Sequence, residues 1–335
     1  MDLISLYYFQ ELSKDLNMTK TAQRLYISQQ TLSNHIQRLE QYYGTQLFYR
    51  KPSLSLTCAG EFVLSFAQVV EKEERNLKDI LSDIEHQERG SLRFGASMAR
   101  GTQFLPRILP DFHRRYPRVE VRFVEGLSQQ LEKQIANGEI DFALVLSDRY
   151  APDLVEHEFL RDQVYLCVPE GLFRQYYTPE EVREIKARAA QGANLRDFAR
   201  LPFSMMTNRL GKRVWECFTR EGVKPNVFFT APSTAQTLPM CSKGLSACCC
   251  THMNLVASRG QVDSHVNIFP LWDQGAPLVQ NLSLLRHKQR YLTHFAKYFM
   301  ELLFQSASSL EQLPIRWIVE EPQSEYGVEK PVENV

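Results

Sequence analysis

The sequence lacks any stretch approaching the ~18–20 consecutive apolar residues that a membrane-spanning helix needs, which excludes a helical membrane anchor. Its opening residues, MDLISLYYFQELSK, have no basic start followed by an apolar core and a small-residue cleavage site, so no secretory signal is read there. The expectation is a cytoplasmic protein with no membrane partner. Net charge is also missing: 39 basic residues balance 39 acidic ones, which excludes a non-specific polycation and leaves local clusters to decide any affinity for nucleic acid. There is no Cys-x-x-Cys pair, and the seven cysteines are odd in number and bunched late in the chain, a pattern of reduced thiols rather than a disulfide framework. Catalytic signatures are absent too: no GxSxG, no HExxH, no phosphate-cradling glycine loop and no distinguishable carboxylate pair. No enzyme, resident cofactor or metal is therefore expected.

The chain does have an ordinary globular composition, 44% hydrophobic and 23% charged, over 335 residues, enough for two or three folded units. Leu3, Leu6, Phe9, Leu12 and Leu16 recur at helical spacing. Asn17 can cap a second helix carrying Ala22 and Leu25, and Ser28 a third that turns Leu32, Ile36 and Leu39 inward. Two short helices joined by a tight turn form a helix-turn-helix. Gln46–Arg50, the Lys51-Pro52-Ser53 break and Ser55–Thr57 then predict a small β-hairpin, a wing. Residues 1–57 hold six Lys/Arg against four Asp/Glu.

From Cys58 to Glu88 the seam Val63, Phe66, Val70, Glu73, Leu77, Ile80 and Ile84 alternates three- and four-residue steps, as in a coiled coil. Such a helix, about 42 Å long, cannot bury its seam against the small N-terminal unit alone, so pairing with a second copy is expected. Beyond Arg89-Gly90 the rhythm becomes strand–helix–strand: Leu92–Ala96, Thr102–Tyr116 (broken by Pro106 and Pro110), Val119–Glu125, Gln129–Asn137 and Phe142–Leu146. A second set begins with Val164–Val168, a helix opened by the capping box Thr178-Pro179-Glu180-Glu181, and strands Phe203–Met206 and Val227–Phe229 flanking a helix Lys212–Glu221. A capping box from Ser233 to Gln236 and strands Leu245–Cys250 and Leu282–Arg286 precede a last helix, Leu292–Phe304. The segment 306–335, with two basic and six acidic residues and three prolines, is expected to be an acidic tail, disordered in part.

Together these residues resemble the LysR-type transcriptional regulators over nearly the whole chain. The resemblance rests on Thr21-Ala22, Leu25, Ile27-Ser28-Gln29, Leu32-Ser33, Ile36, Leu39-Glu40, Gly44, Leu47-Phe48, Arg50, Leu56-Thr57 and Ala59-Gly60. Looser matches occur at Gly90–Gly95, Tyr116–Val119, Gly138–Ala143 and Gly244–Ala247. The chain departs from the family at Gln30, where proline is usual, in a shorter and less basic wing, and in a longer helical segment around Thr178–Ala190. The fold implied is an α+β multidomain chain: a winged helix-turn-helix (1–57), a linker and dimerisation helix (58–88), a two-lobed α/β effector domain of the type 2 periplasmic-binding-protein kind (89–305), and the tail. Its lobes would be 89–161 with 270–305, and 162–269, joined by crossing strands near Phe159–Gln163 and Asn267–Leu271.

The function implied is sequence-specific binding of double-stranded promoter DNA, as a homodimer or homotetramer, under control of a small, anionic effector of unknown identity. The alternatives are a small-molecule-binding protein or an enzyme on the same two-lobed fold. By resemblance Ser28–Arg38 enters the major groove, where Asn34 and Gln29 can hold adenine and Thr31 can meet a thymine methyl. Thr19, Lys20, Ser28, Ser33, Arg38, Arg50 and Lys51 suit the phosphates, and Gln30 is counted among the DNA-binding residues. Effector contacts are expected outside the carboxyl ends of strands, at Ser97, Arg100, Thr102, Ser128, Thr207, Ser233 and Thr234. Cys248, Cys249 and Cys250 alternate faces on a strand and so cannot all converge on one ion.

Overall fold

The computed structural model describes residues 2–51, 53–84, 89–146, 151–258, 260, 262, 264–313 and 315. The chain divides into two compact units, Met1–Phe159 with Ser283–Ser306, and Leu160–Leu282 with the chain from Ala307.

The first unit opens with three helices, α1 (Leu3–Asp15), α2 (Met18–Arg24) and α3 (Gln29–Tyr43), followed by a two-stranded wing, β1 (Phe48–Tyr49) and β2 (Ser55–Leu56), paired antiparallel. Each helix starts where a side chain accepts an orphan N–H: Asp2 from Ser5, Asn17 from Lys20, and Ser28 from Thr31. The apolar faces close on Phe9, Leu12, Leu32, Ile36, Leu39, Leu47 and Phe48, all buried. The next helix, α4 (Cys58–Ile84), starts under Thr57, whose hydroxyl accepts the Gly60 N–H at 2.9 Å. A Cβ on Gly60 would stand 2.2 Å from the Leu47 carbonyl oxygen, so only glycine lets α4 lie this close to the wing.

The α4 seam differs from the expected one. Val63 and Ala67 turn into the helix-turn-helix core, with Val70 packed against it. The exposed apolar stripe is instead Phe62, Phe66, Val69, Leu77, Leu81 and Ile84. The rows of a straight helix drift relative to a strict seven-residue repeat, so one seam cannot serve two neighbours along its whole length. The last expected linker residues, 85–88, lie outside the described residues.

An α/β arrangement follows in this unit: β3 (Arg89–Ala96), α5 (Met98–Arg115), β4 (Arg118–Glu125), α6 (Ser128–Ala136) and β5 (Phe142–Val145). Strand β3 pairs parallel with both β4 and β5. Helix α5 begins at Met98, not Thr102, and passes through Pro106 and Pro110 unbroken. Both prolines sit on its exposed side, and burial of Phe104, Ile108 and Phe112 on the other outweighs the backbone bonds they remove.

The chain enters the second unit along β6 (Leu154–Pro169). Helices α7 (Glu170–Tyr176) and α8 (Pro179–Ala189) follow, the latter with the Thr178 capping box in place. This extra segment joins the core through Val182, Ile185 and Ala189 and through a buried 2.7 Å ion pair between Lys186 and Glu170. Then come β7 (Pro202–Met206), α9 (Arg209–Arg220), β8 (Asn226–Ala231), α10 (Thr234–Ser242), β9 (Ala247–Thr251), α11 (His252–Ala257) and β10 (Val266–Pro270). Strand β7 pairs parallel with β8 and β9, while β6 pairs antiparallel with β9 and β10.

A hairpin of β11 (Trp272–Asp273) and β12 (Ala276–Pro277) leads to β13 (Val279–His287), along which the chain returns to the first unit at Leu282/Ser283. This corrects the expected crossing at Asn267–Leu271. That segment pairs with β6, its Asn267 amide donates to Glu170 at 2.9 Å, and Phe269 and Leu271 are buried in the second unit's core. In the first unit β13 pairs antiparallel with β5. The last helix, α12 (His294–Glu311), outruns the expected end at Phe304, so 306–311 is helix rather than tail; residues 316–335 lie outside the described residues.

Candidate nucleic-acid interface and effector groups

Helix α3 presents a polar outer face because Leu32, Ile36 and Leu39 take the inner one. Gln29, Gln30, Thr31, Asn34 and Arg38 are exposed, and Ser33 is half-buried. At about 100° per residue, Gln30, Asn34 and Gln37 stand opposite the buried triad, with Gln29 and Ser33 on one flank and Thr31 and Arg38 on the other. Gln37 is thus a central outward side chain that the site assignment from sequence passed over; its i, i+4, i+7 relation to Gln30 and Asn34 was the available signal. The Ser28 hydroxyl accepts the Thr31 N–H at 3.0 Å and contacts the Thr31 hydroxyl at 2.8 Å, so it is a helix cap first.

Most of the cations around this face are tethered to acids. Thr19 and Lys20 are exposed on the first turn of α2, with the Lys20 ammonium 3.2 Å from Asp15. Arg24 donates to Glu11 and, at 2.7 Å, to Asp15. Hydrogen bonds from Arg24 hold the Asp15 carboxyl below the usual range. Burial pushes Glu11 up, but bonds from Lys14 and Arg24 outweigh it and the net shift is downward. Arg50 in the wing reaches Glu40 at 3.4 Å, and Arg38 lies 4.0 Å from Asp2. The second Glu40 oxygen accepts the Leu47 N–H at 2.9 Å, so this carboxylate orients the wing as well as its arginine. Lys51 is exposed at the wing tip.

The expected effector residues fall at the carboxyl ends of strands within each unit. In the first, Ser97 is the N-cap residue of α5 but makes no side-chain cap bond, and Arg100 and Thr102 follow in its first turns. Ser128 opens α6, and its hydroxyl accepts the Leu146 N–H at 3.0 Å, tying the end of β5 to this helix. In the second, Thr207 is exposed after β7 and donates its N–H to Ala231. Asn208 caps α9 by accepting the Gly211 N–H at 3.1 Å and donates to the Pro232 carbonyl at 3.1 Å. A Cβ on Gly211 would fall 1.7 Å from the Met206 carbonyl oxygen, so glycine is required for α9 to start against β7. Ser233 donates to Gln236, and the Thr234 hydroxyl accepts from Asn254 at 3.1 Å. Asn208 and Asn254 were missed from sequence; Asn208, just before a helix, is a legible cap signal, whereas Asn254 lies within α11 and carries no such signal.

Four of the seven cysteines gather on one face of the second unit's sheet. The Cys167 and Cys250 sulfurs are 3.4 Å apart, and Cys241 donates to the Cys167 carbonyl. Cys249 points the other way, into the main core. Burial pushes the Cys241 and Cys249 thiols well above their ordinary pKa. No group of three or more His, Cys, Asp or Glu suited to a metal ion occurs among the described residues, and no helix there is long and apolar enough to cross a membrane.

Residues 3–61 match the bacterial regulatory helix-turn-helix protein model of the lysR family, and residues 85–308 match the LysR substrate binding domain. The chain belongs to the LysR family. It is accordingly a LysR-type DNA-binding transcriptional regulator with an effector-binding domain, and its relatives are regulators rather than enzymes. It is 29% identical over 325 residues to the uncharacterized HTH-type transcriptional regulator YcgK of Bacillus subtilis, covering 93% of this chain and 96% of the relative. It is 28% identical over 246 residues to the Hca operon transcriptional activator HcaR of Escherichia coli, covering 73% and 80%. Among solved structures, full-length OxyR from Pseudomonas aeruginosa aligns with a TM-score of 0.65 at 19% identity, over 92% of this chain and 97% of that one. Full-length CbnR complexed with its target DNA aligns at 0.57 and 18% identity, over 92% and 100%. These two likenesses speak for the fold.

Proposed function

We propose that this LysR regulator acts in the cytoplasm as a sequence-specific reader of promoter DNA, with α3 in the major groove. The observation that carries the reading is the row Gln30, Asn34 and Gln37, flanked by Gln29 and Thr31, exposed on a helix whose opposite face is fully buried. Amide side chains so placed match the donor–acceptor pair of adenine. Lys20, Arg38, Arg50 and Lys51 border the row and suit phosphates. The tethering of Lys20, Arg38 and Arg50 to Asp15, Asp2 and Glu40 limits the net attraction of one copy, which favours reading by two or more copies together. Selection of binding sites from random DNA tests this. Asn34→Ala and Gln29→Ala should alter the preferred bases at a cost of about 1–3 kcal/mol per lost contact. Recovery of the wild-type motif at wild-type affinity rejects the assignment.

The exposed α4 stripe supports a homodimer, from which a homotetramer spanning two DNA sites is built. Phe66→Glu with Leu77→Glu should lower the mass in light scattering; an unchanged mass rejects α4 as the contact. The strand-end groups of each unit, Ser97, Arg100, Thr102 and Ser128 in the first and Thr207, Ser233 and Thr234 in the second, are the candidate contacts for a small anionic effector that biases the regulator between states.

A further inference from the structure

The parallel pairing of β3 with β4 sets Arg93 directly opposite Arg122. Like charges in register on neighbouring strands destabilise a sheet, and Glu120 offsets this only in part by pairing with Arg122. Arg75 of α4 joins them, and all three line a cavity of about 570 Å³ whose remaining wall includes Gln10, Ser13 and Lys14 of α1. Glu71 and Glu139 are the acids in that lining, and Glu11 and Glu120, outside it, pair with Lys14 and Arg122. Burial, then the charges of Arg75 and Arg122, pull the Arg93 pKa below that of an ordinary arginine.

Each guanidinium is aimed by a bond made at one side. Arg93 donates to the Glu139 carbonyl at 3.0 Å, Arg122 to the Glu120 carboxylate at 2.8 Å, and Arg75 to the Gly138 carbonyl and, at 3.1 Å, to Glu71. A guanidinium has five N–H donors in a planar fork, so these bonds orient the groups without exhausting them. The volume lies within the usual range for a small-molecule site, about 300–1,000 Å³.

We propose that this cavity binds a small phosphorylated metabolite, its phosphate held by Arg93, Arg122 and Arg75. Gln10 and Ser13 supply neutral hydrogen bonds to the rest of the ligand. This site is separate from the strand-end hydroxyls assigned above to the effector. Its walls come from the winged helix-turn-helix, the linker helix and the sheet of the first unit, so an occupant stabilises their mutual arrangement. A ligand that prefers one arrangement shifts the population of DNA-binding states.

The test is calorimetric titration of the full-length protein with inorganic pyrophosphate, against sodium chloride of matched ionic strength. Saturable binding is expected, weakened about tenfold or more by Arg93→Gln and by Arg122→Gln, and unchanged by Arg114→Gln, an exposed cation outside the cavity lining. Circular dichroism melts of the unliganded variants establish that each is folded. Arg122 is half-exposed, so Arg122→Gln keeps the test open if Arg93→Gln fails to fold. Absence of saturable heat beyond the salt control, or wild-type affinity in folded Arg122→Gln, overturns the site. Displacement of pyrophosphate by citrate at equal or lower concentration overturns the phosphate assignment.

Discussion

The recognition helix and the strand ends of the second unit both present polar side chains, yet they do so on different terms. On α3 the outward residues Gln30, Asn34 and Gln37 hold no part of the fold, because the core beneath is made by Leu32, Ile36 and Leu39 and the cap by Ser28. At the ends of β7 and β8 the same polar groups that face outward also build the turns. Asn208 caps α9, Ser233 bonds to Gln236, and Thr234 is held by Asn254. Binding specificity can therefore change on α3 with little cost to stability, whereas in the second unit ligand contact and local fold are coupled.

The sharpest way to stress this contrast is Gly211→Ala. The added methyl meets the Met206 backbone at a distance no side chain tolerates, so α9 must shift and carry Thr207 and Asn208 with it. A loss of about 3 kcal/mol or more is expected, read in thermal or urea unfolding. A melt like the wild type would show that the start of α9 is not set by this contact. A smaller effect should follow Thr234→Val, which keeps the shape and removes the hydroxyl that accepts from Asn254. About 1 kcal/mol of destabilisation is expected, while Asn34→Ala should stay within about 0.5 kcal/mol of the wild type. Equal losses for the two variants would erase the distinction between the regions.

The smallest effect concerns the acids of the helix-turn-helix. Asp15 and Glu11 have folded pKa values below their unfolded ones, so their contribution is present above an unfolded carboxylate pKa of about 4 and is lost as pH falls through the lowered folded values. In acid titrations followed by circular dichroism, Arg24→Ala should flatten this loss of stability below about pH 4. An acid limb identical in Arg24→Ala and wild type would mean that the tethers do not contribute to the fold.

Legibility along the chain followed the range of the interactions involved. Caps, turns and one-sided apolar patterns are local, so Asn17, Ser28 and the Thr178 capping box were placed from sequence and stand at helix starts in the structure. The same patterns carried the family resemblance and the alternation of strands and helices. Helix ends within the α/β units were less legible: Pro106 and Pro110 suggested a break, but burial on the opposite face of α5 prevailed.

The sequence by itself determined the helix-turn-helix, its polar outer face and the α/β character of the chain beyond α4, because each depends on residues a few positions apart. Only the tertiary structure decided which side of α4 serves its own core, where the chain crosses between units, and which charges meet. An apolar run such as Asn267–Leu271 has the same local pattern whether it crosses or stays. Strand pairing placed it against β6 and left the crossing to β13. Likewise Arg93 and Arg122 are far apart in the chain and become neighbours only when β3 and β4 pair in this register. Charge repulsion, like packing, acts through space, and the one-dimensional pattern does not specify that distance.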